Sequence, residues 1–531
     1  MSSPQVYLRP DVAAEPLICR WAAYEMMVAP HLLAMVLKGQ LDLLASYVRF
    51  PAQHLKARRD PALVGGPWVD HPTDRSQDAE ALRRDMLARC APQLELAAGV
   101  KALDELLRAE AVGGSLRPLY ARVPDALRGH VELVYDLAHR PSIRFLEGLM
   151  YRSRFYDRSL QALSLSRLTG DRRPFVWTTP VFDEPHRITA PLAFDDPSVD
   201  AVLGAASRPM PAGELAERLG VGDDRRAALD ALTTTEPPVA RSARPEAGVR
   251  VRYFGHACVL VETRDVAILV DPFLGYELPS DVPRYTYRDL PARIDVVLIT
   301  HAHNDHLELE TLLRLRHRIG RVLVPRASGR SLQDPSLRLV LEAVGFPRVS
   351  EVGDLEAVEV LGGRIVAIPF LGEHCDLDIQ GKCAWRIELA GRSVMLAADS
   401  ANVEPRMYHH VRRLLGDVDL LFLGMECDGA PLSWAYGKLL ARPLGRELDR
   451  SRTVSGSNHG EAMAMLEALA PGRFYVYAMG AEPWLHHVMV IPPDPASPRV
   501  RDPQRLVAEY RARGREAEQL CGRKEILLDA R

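Results

Sequence analysis

A dense group of side chains that can bind metal ions lies between residues 294 and 306, where the sequence reads Ile-Asp-Val-Val-Leu-Ile-Thr-His-Ala-His-Asn-Asp-His. The apolar run at 296–299 predicts a buried strand, and a His-x-His-x-Asp-His pattern follows its end. A loop that folds back on itself can direct alternate side chains inward. His301 and His303 can then serve one ion while Asp305 and His306 serve a neighbouring ion. We therefore predict a site for two metal ions here rather than a solvated polar loop.

The strand that ends in this loop belongs to a C-terminal region in which strands and helices alternate. Period-two patterns separated by short turns predict antiparallel strands at 249–254, 258–262 and 266–270. Helical and strand-like stretches then alternate up to residue 424. This order predicts an α/β (α+β) domain over 249–531, built from two sheets covered by helices.

Residues 1–235 have a different texture and predict a helix-rich N-terminal domain. Ala, Leu, Arg and Glu recur with apolar residues at three- and four-residue spacing. The predicted helices lie within 21–48, 79–98, 100–111, 126–138 and 142–151. The aromatic and β-branched stretch 173–192 predicts short strands or an ordered connection. Residues 210–232 predict two helices joined by a glycine-containing turn, which we interpret as a packing or docking unit, and 236–248 has the composition of a linker.

Composition restricts the classes of function. The chain has 531 residues, and its 67 basic and 70 acidic side chains nearly cancel, which argues against a mainly electrostatic binder of nucleic acid or of membrane surfaces. The N-terminus has no signal-peptide pattern, and no apolar run is long enough to span a bilayer, so we expect a cytoplasmic protein. The seven cysteines show no Cys-x-x-Cys pair, and we expect reduced thiols.

Four motifs resemble the metallo-β-lactamase superfamily. They are Gly255-His-Ala257, Leu269-Val-Asp-Pro272, Thr300-His-Ala-His-Asn-Asp-His306 and Met395-Leu-Ala-Ala-Asp-Ser400. The resemblance implies an αββα sandwich with a dinuclear metal site at one edge of the sheets. It also implies that Asp399 bridges both ions and that a late histidine, His459, completes the second site.

One further ligand is expected between the histidine-rich loop and Asp399, and the candidate segment reads Phe370-Leu-Gly-Glu-His-Cys-Asp376. Either Glu373 or His374 can point inward. With Glu373, the set contains four imidazoles and three carboxylates, which is rich in oxygen donors for a zinc hydrolase. Carboxylates suit harder, more oxidised ions and can change their binding mode as iron changes oxidation state. A glutamate ligand therefore favours two iron ions over two zinc ions.

A helix-rich N-terminal region before such a domain resembles the di-iron β-hydroxylases that include the aminoacyl β-hydroxylase of chloramphenicol biosynthesis. This resemblance implies an O₂-dependent monooxygenase that hydroxylates the β-carbon of an amino acid held as a phosphopantetheine thioester on a nonribosomal peptide synthetase carrier domain. It further implies an electron donor, a homodimer and an N-terminal domain used in dimerisation and docking. His301, His303 and Glu373 would hold one iron, Asp305, His306 and His459 the other, and Glu373 and Asp399 would be the catalytic carboxylates.

Two other classes of function are weighed against this one. A dinuclear zinc hydrolase of an ester, lactone or phosphodiester would use His374 in place of Glu373 and would not need O₂. A metal-free binding protein is disfavoured by seven ligands in the right order. Near the site, Glu426 and Asp428 are interpreted either as supports for ligand histidines or as a solvated turn. Trp434 and Tyr436 are interpreted as core aromatics rather than channel residues.

Overall fold

The computed structural model describes residues 4–60, 63, 65–489 and 494–531. Its N-terminal region contains small sheets as well as the predicted helices. The strands are β1 (Gln5–Leu8), β2 (Val12–Ile18), β3 (Trp21–Ala22), β4 (Val131–Tyr135), β5 (Pro141–Phe145), β6 (Gln161–Arg167), β7 (Ile188–Ala190), β8 (Met210–Pro211) and β9 (Thr233–Thr234). The helices are α1 (Glu25–Val28), α2 (Pro30–Arg49), α3 (Pro51–Ala57), α4 (Ser76–Arg89), α5 (Ala91–Glu110), α6 (Glu147–Met150), α7 (Pro197–Gly204), α8 (Ala212–Arg218) and α9 (Arg226–Leu232).

The predicted helices at 126–138 and 142–151 are wrong, because β4 and β5 form an antiparallel hairpin there. Val131 pairs with Phe145 and Leu133 pairs with Ile143, so one face of the hairpin enters the core. Only α6 remains helical in this stretch. Val131-Glu-Leu-Val-Tyr alternates in period two, and this pattern outweighs the helix-forming residues around it. The two helices predicted within 210–232 are confirmed as α8 and α9.

The C-terminal region is built on two seven-stranded sheets. Its strands are β10 (Val249–Gly255), β11 (Cys258–Glu262), β12 (Ala267–Val270), β13 (Ile294–Leu298), β14 (Ile319–Pro325), β15 (Val349–Val352), β16 (Ala357–Val360), β17 (Gly363–Ile368), β18 (Ala384–Leu389), β19 (Arg392–Leu396), β20 (Leu420–Gly424), β21 (Ala430–Pro431), β22 (Thr453–Val454), β23 (Arg473–Tyr477), β24 (Glu516–Gln519) and β25 (Lys524–Leu528). Its helices are α10 (Leu309–Leu315), α11 (Leu337–Ala343), α12 (Arg406–Leu415), α13 (Leu432–Tyr436), α14 (Arg446–Ser451), α15 (His459–Leu469) and α16 (Pro498–Ala512).

The first sheet has the order β15-β14-β13-β12-β11-β10-β25 and the second the order β16-β17-β18-β19-β20-β23-β24. β10, β11 and β12 pair antiparallel as predicted, whereas β12 to β15 run parallel. Alternate side chains of the two sheets meet in one apolar core that includes Val259, Leu298, Trp385 and Phe422. Helices α12, α15 and α16 cover the outer face of the second sheet. The predicted αββα sandwich is therefore confirmed.

The N-terminal region covers the outer face of the first sheet. Leu260 and Val297 of that sheet share one apolar cluster with Val12 of β2, Leu163 of β6 and residues of α2, α7 and α10. The predicted linker 236–248 contains no helix or strand, and the domain boundary stays a prediction. No helix of the described residues combines the length and apolar character that crossing a bilayer requires.

Candidate metal centre

The predicted ligands other than His459 come together at one edge of the sandwich. The histidine-rich loop follows β13, the Glu373 segment follows β17 and Asp399 follows β19. β17 and β19 both pair antiparallel with β18 and so run in the same direction, which is why the segments that follow them lie at one edge of the second sheet. The histidine-rich loop, Glu373 and Asp399 are thus brought together, as predicted.

The first group of ligand atoms comes from His301, His303 and Glu373. His301 Nε2 lies 3.2 Å from His303 Nδ1, and His303 Nδ1 lies 3.0 Å from a Glu373 carboxylate oxygen. His301 and Glu373 are buried. The three side chains therefore direct nitrogen and oxygen atoms into one small volume, in the way that ligands of a single ion do.

The second group lies next to the first and is joined to it by Asp399. His306 Nε2 is 3.0 Å from Asp399 Oδ2 and 3.7 Å from Asp305 Oδ2. The same Asp399 oxygen is 3.9 Å from His301 Nε2. Asp399 thus stands between the two groups, in the position that the sequence predicts for a bridging carboxylate.

A buried carboxylate behind the ligands, Asp271, fixes the orientation of His306. His306 Nδ1 lies 2.8 Å from Asp271 Oδ2. The Thr300 hydroxyl donates to the same oxygen at 2.6 Å, and the Thr300 backbone N–H donates to the other at 2.8 Å. Carboxylates in this position hold a metal-binding imidazole in the required tautomer. No role was predicted for Asp271, although its Asp-Pro pair at the end of a strand was part of the recognised motif.

The pKa values of the clustered imidazoles reflect their burial and their close neighbours. Burial would lower the pKa of His303, but the neighbouring Glu373 carboxylate raises it to about 9. Burial also opposes charge on His306, yet Asp399, Asp305 and Asp271 raise its pKa well above the usual range. Burial, with the adjacent histidines, lowers the pKa of His301. The pKa values of these imidazoles are therefore set by burial and by the carboxylates packed beside them.

Glu373 and His374 both lie within reach of the first group, but their surroundings differ. Glu373 lines the cavity that also contains His303, Asp305 and Asp399, whereas His374 is not among the residues lining it. The backbone of Glu373 has φ +70°, a left-handed conformation that is costly for a residue with a side chain. This turn places the Glu373 carboxylate in the cavity. His374 belongs to the same group of possible metal-binding atoms as His301, His303 and Glu373, and its two ring nitrogens are buried without a hydrogen-bond partner.

The prediction that His459 completes the second group is wrong for this structure. His459 is the first residue of α15, and its imidazole faces α16, where Nε2 lies 3.0 Å from a Glu509 oxygen. Its backbone N–H donates to Asp502, also on α16. These contacts hold the side chain on the outer layer of the sandwich. At the end of β23, the residue that faces the cavity is Ala478, which has no side-chain ligand atom.

His256 is a further imidazole close to the second group. Its Nε2 lies 3.0 Å from Asp305 Oδ2, while the Gly480 backbone N–H donates to its Nδ1 at 3.3 Å. Because Nδ1 accepts a hydrogen bond, we assign the ring proton to Nε2, which then donates to the Asp305 carboxylate. His256 thus contacts Asp305, and together with Asp305 and His306 it also forms a group of possible metal-binding atoms.

Part of the cavity lining is aromatic and apolar. Trp177 and Trp434 line it with ring centroids 4.4 Å apart, together with Val488 and Met489. The interpretation of Trp434 as a core residue is wrong. The interpretation of Tyr436 is only partly right, because it is buried but its hydroxyl lies 2.8 Å from His303 Nε2.

Glu426 and Asp428 do not support ligand histidines in this structure. Glu426 lines the cavity, but its carboxylate contacts Arg499 and the Gly429 backbone N–H. Asp428 is exposed. The carboxylate that contacts a histidine of the centre is Asp271 instead.

Two orphaned oxygens test whether the site suits metal ions. Asp399 Oδ1 and Glu373 Oε2 are buried and have no hydrogen-bond partner. A buried carboxylate oxygen without a donor is costly unless a cation balances it. Imidazole and carboxylate donors in this ratio suit iron, so the residues fit a di-iron centre.

Comparisons with known proteins cover the whole chain. A family model described as "Diiron non-heme beta-hydroxylase N-terminal domain" matches residues 7–237, and one described as "Beta-lactamase superfamily domain" matches residues 267–477. The chain is 39% identical over 529 residues to 4-amino-L-phenylalanyl-(CmlP-peptidyl-carrier-protein) 3-hydroxylase of Streptomyces venezuelae, covering 98% of this chain and 99% of that protein.

Two solved structures of relatives share the complete fold. The structure of CmlA, a diiron beta-hydroxylase from Streptomyces venezuelae, matches with a TM-score of 0.93 at 39% identity, covering 99% of this chain and 100% of that one. A mutant of the CmlA beta-hydroxylase matches with a TM-score of 0.91, also at 39% identity, covering 98% of this chain and 100% of that one.

Proposed function

Because this chain belongs to the family of di-iron non-haem β-hydroxylases, we propose that it hydroxylates the β-carbon of an amino acid carried as a thioester on a nonribosomal peptide synthetase carrier domain. The reaction consumes O₂ and contributes to the biosynthesis of an antibiotic. The observation that carries this proposal is the carboxylate-rich centre, in which Glu373 and Asp399 face one cavity.

We assign six residues as iron ligands. His301, His303 and Glu373 hold one iron, Asp305 and His306 hold the other, and Asp399 lies between them. His459 is not assigned, because its imidazole is held by α16. When bound, the two irons supply the electrons and open coordination positions that O₂ activation requires.

The residues of the chain itself bind and orient the substrate. The tryptophan pair and Val488 form an apolar wall of the cavity, and the amino-acid side chain packs against it. The substrate carbon to be hydroxylated then faces Asp399 and Glu373. The cavity holds only about 80 Å³, so bound substrate displaces most of its water. The carbon that reacts is therefore selected by position.

Further parts of the proposal concern partners and location. Inserting one oxygen atom of O₂ into a C–H bond and releasing the other as water needs two electrons and two protons, so an electron donor is required. The carrier domain docks on residues 1–235, which also form the contact of a homodimer. We place the protein in the cytoplasm, where such synthetases operate.

The test is a turnover experiment with controlled metal and oxygen. Apoprotein is loaded anaerobically with ferrous iron, reduced and exposed to O₂ in the presence of aminoacyl carrier thioesters. We expect two irons per chain and a gain of one oxygen in the product by mass spectrometry. Isotope labelling should place that oxygen on the β-carbon and trace it to O₂.

The zinc-loaded form is the control that separates the proposal from a hydrolase. Zinc has no accessible second oxidation state, so the zinc form should consume no O₂ with any substrate. Turnover of an ester, lactone or phosphodiester by the zinc form under anaerobic conditions, with no hydroxylation by the iron form, would refute the proposal.

A further inference from the structure

A second, basic cavity lies directly behind the aromatic wall of the metal cavity. It holds about 120 Å³, and its lining includes Arg58, Arg172, His486, Asp70 and Phe175. We call it the basic cleft. Its only carboxylate among the described residues, Asp70, is paired with Arg58 at 2.6 Å. Arg172 and His486 are both exposed. Burial and the neighbouring Arg172 lower the pKa of His486, so the uncompensated positive charge of the cleft comes from Arg172.

The basic cleft and the metal cavity share one aromatic partition. The Phe175 ring, which lines the cleft, lies 6.0 Å from the Trp177 ring and 6.4 Å from the Trp434 ring. Both tryptophans line the metal cavity. The Trp434 indole N–H also donates to the carbonyl of Gly65, on the rim of the cleft, at 3.1 Å. A long ligand that passes this partition contacts both cavities.

The two cavities differ in the part of a substrate that each can accept. The metal cavity is too small for a whole ligand of drug size, which needs several hundred Å³. It accepts the aminoacyl end of the substrate assigned above and leaves the long arm outside. The arm ends in a phosphodiester, and arginine is the side chain best suited to bind such a group.

We propose that the basic cleft binds the phosphate of the carrier's phosphopantetheine arm, with Arg172 as the main cationic contact and Arg58 and His486 beside it. This inference rests on the proposed function, because it assumes an aminoacyl phosphopantetheine substrate. It gives the N-terminal region a direct part in substrate binding, since Arg58, Arg172 and Phe175 come from that region and His486 from the metal domain. The phosphate contact sets the depth to which the aminoacyl end enters the metal cavity.

The experiment compares two small substrates that differ only in the phosphate. The same amino acid is offered as a thioester of phosphopantetheine and of pantetheine, and KM and kcat are measured for the wild type and for Arg172→Ala. We expect the wild type to prefer the phosphorylated substrate by about 10-fold in KM, in line with one charge-assisted contact. Arg172→Ala should lose that preference, and Arg172→Lys should regain part of it.

Arg117→Ala is the matched control, because Arg117 is also an exposed arginine of the N-terminal region and is not a lining residue of the cleft. It should keep the wild-type preference. Equal KM values for both substrates with the wild type would overturn the proposal. A rise in KM for Arg172→Ala only with the intact carrier protein would also overturn it, since that result assigns Arg172 to the carrier surface. If the wild type hydroxylates neither small substrate nor the carrier-bound one, the proposed function itself fails.

Discussion

The strongest test of the metal centre is the replacement Asp271→Asn, which keeps the size of a buried side chain and removes its charge. In the wild type, Asp271 accepts three hydrogen bonds, from the Thr300 backbone N–H, the Thr300 hydroxyl and His306 Nδ1. An asparagine has only one oxygen. If the asparagine oxygen faces His306, its NH₂ group faces the Thr300 backbone N–H, and two hydrogen-bond donors then face each other. If the amide is flipped, the NH₂ group meets the ring N–H of His306.

The expected loss of iron affinity follows from this geometry. A buried donor left without an acceptor costs about 1–3 kcal/mol. Loss of a carboxylate that orients a ligand histidine typically weakens metal binding by about 10- to 100-fold, which corresponds to about 1.4–2.8 kcal/mol. The two estimates agree because they describe the same contact. We therefore expect iron affinity to fall by about 10- to 100-fold in Asp271→Asn.

The assay is an anaerobic ferrous titration of apoprotein against a competing chelator at fixed pH, with the iron-to-chain ratio measured at each step. Asp295→Asn is the matched control. Asp295 is a carboxylate on β13 whose oxygens contact the Ala267 backbone N–H, Arg244 and Arg293, none of which is near the metal centre. Its loss should change thermal unfolding but not iron affinity. Iron affinity equal to wild type in a folded Asp271→Asn protein would refute the supporting role of this carboxylate.

Three other predictions follow from the site and its surroundings. Glu373→Gln should lower the iron content while His374→Gln keeps it, and the reverse result would identify His374 as the ligand. His459→Ala should retain two irons per chain, and loss of one iron would restore His459 as a ligand. Burial raises the pKa of Glu147 to about 7, so its contribution to stability is present below pH 4.5 and is lost as the pH rises through 7. Glu147→Gln should therefore be more stable than wild type at pH 8, by up to about 3 kcal/mol, and nearly equal at pH 4, as measured by urea unfolding. Equal stability at both pH values would contradict this.

The histidine-rich loop could be predicted because its candidate ligands lie close together in the sequence. An apolar strand and four ligand side chains lie within thirteen residues, and the end of a parallel strand delivers them together. Asp399 and Glu373 needed the family resemblance as well, since the distance between them in sequence says nothing about their distance in space. The cavity-facing position of Glu373 agrees with its assignment on that basis.

The role of His459 could not be read from sequence, because it depends on a helix that begins about forty residues later. A histidine at the start of α15 can face either the sheet edge or the outer layer, and Glu509 and Asp502 of α16 draw it outward. The support from Asp271 was missed for a related reason. The sequence does not distinguish a buried aspartate from a solvated one. Only the contacts of Asp271 with Thr300 and His306 reveal its role.

The N-terminal region contributes Trp177 to the lining of the metal cavity. A buried ionic network holds the segment that carries this residue. Arg173 lies between Glu15 of β2 and Glu310 of α10, at 2.8 and 2.7 Å, and all three side chains are largely buried. Removing one member of such a network leaves an uncompensated buried charge, so the network disfavours other placements of the segments that it joins. Arg173 thereby ties the connection that carries Phe175 and Trp177 to both domains at once. The sandwich alone would therefore lack Trp177 of the aromatic wall and the cover of its first sheet.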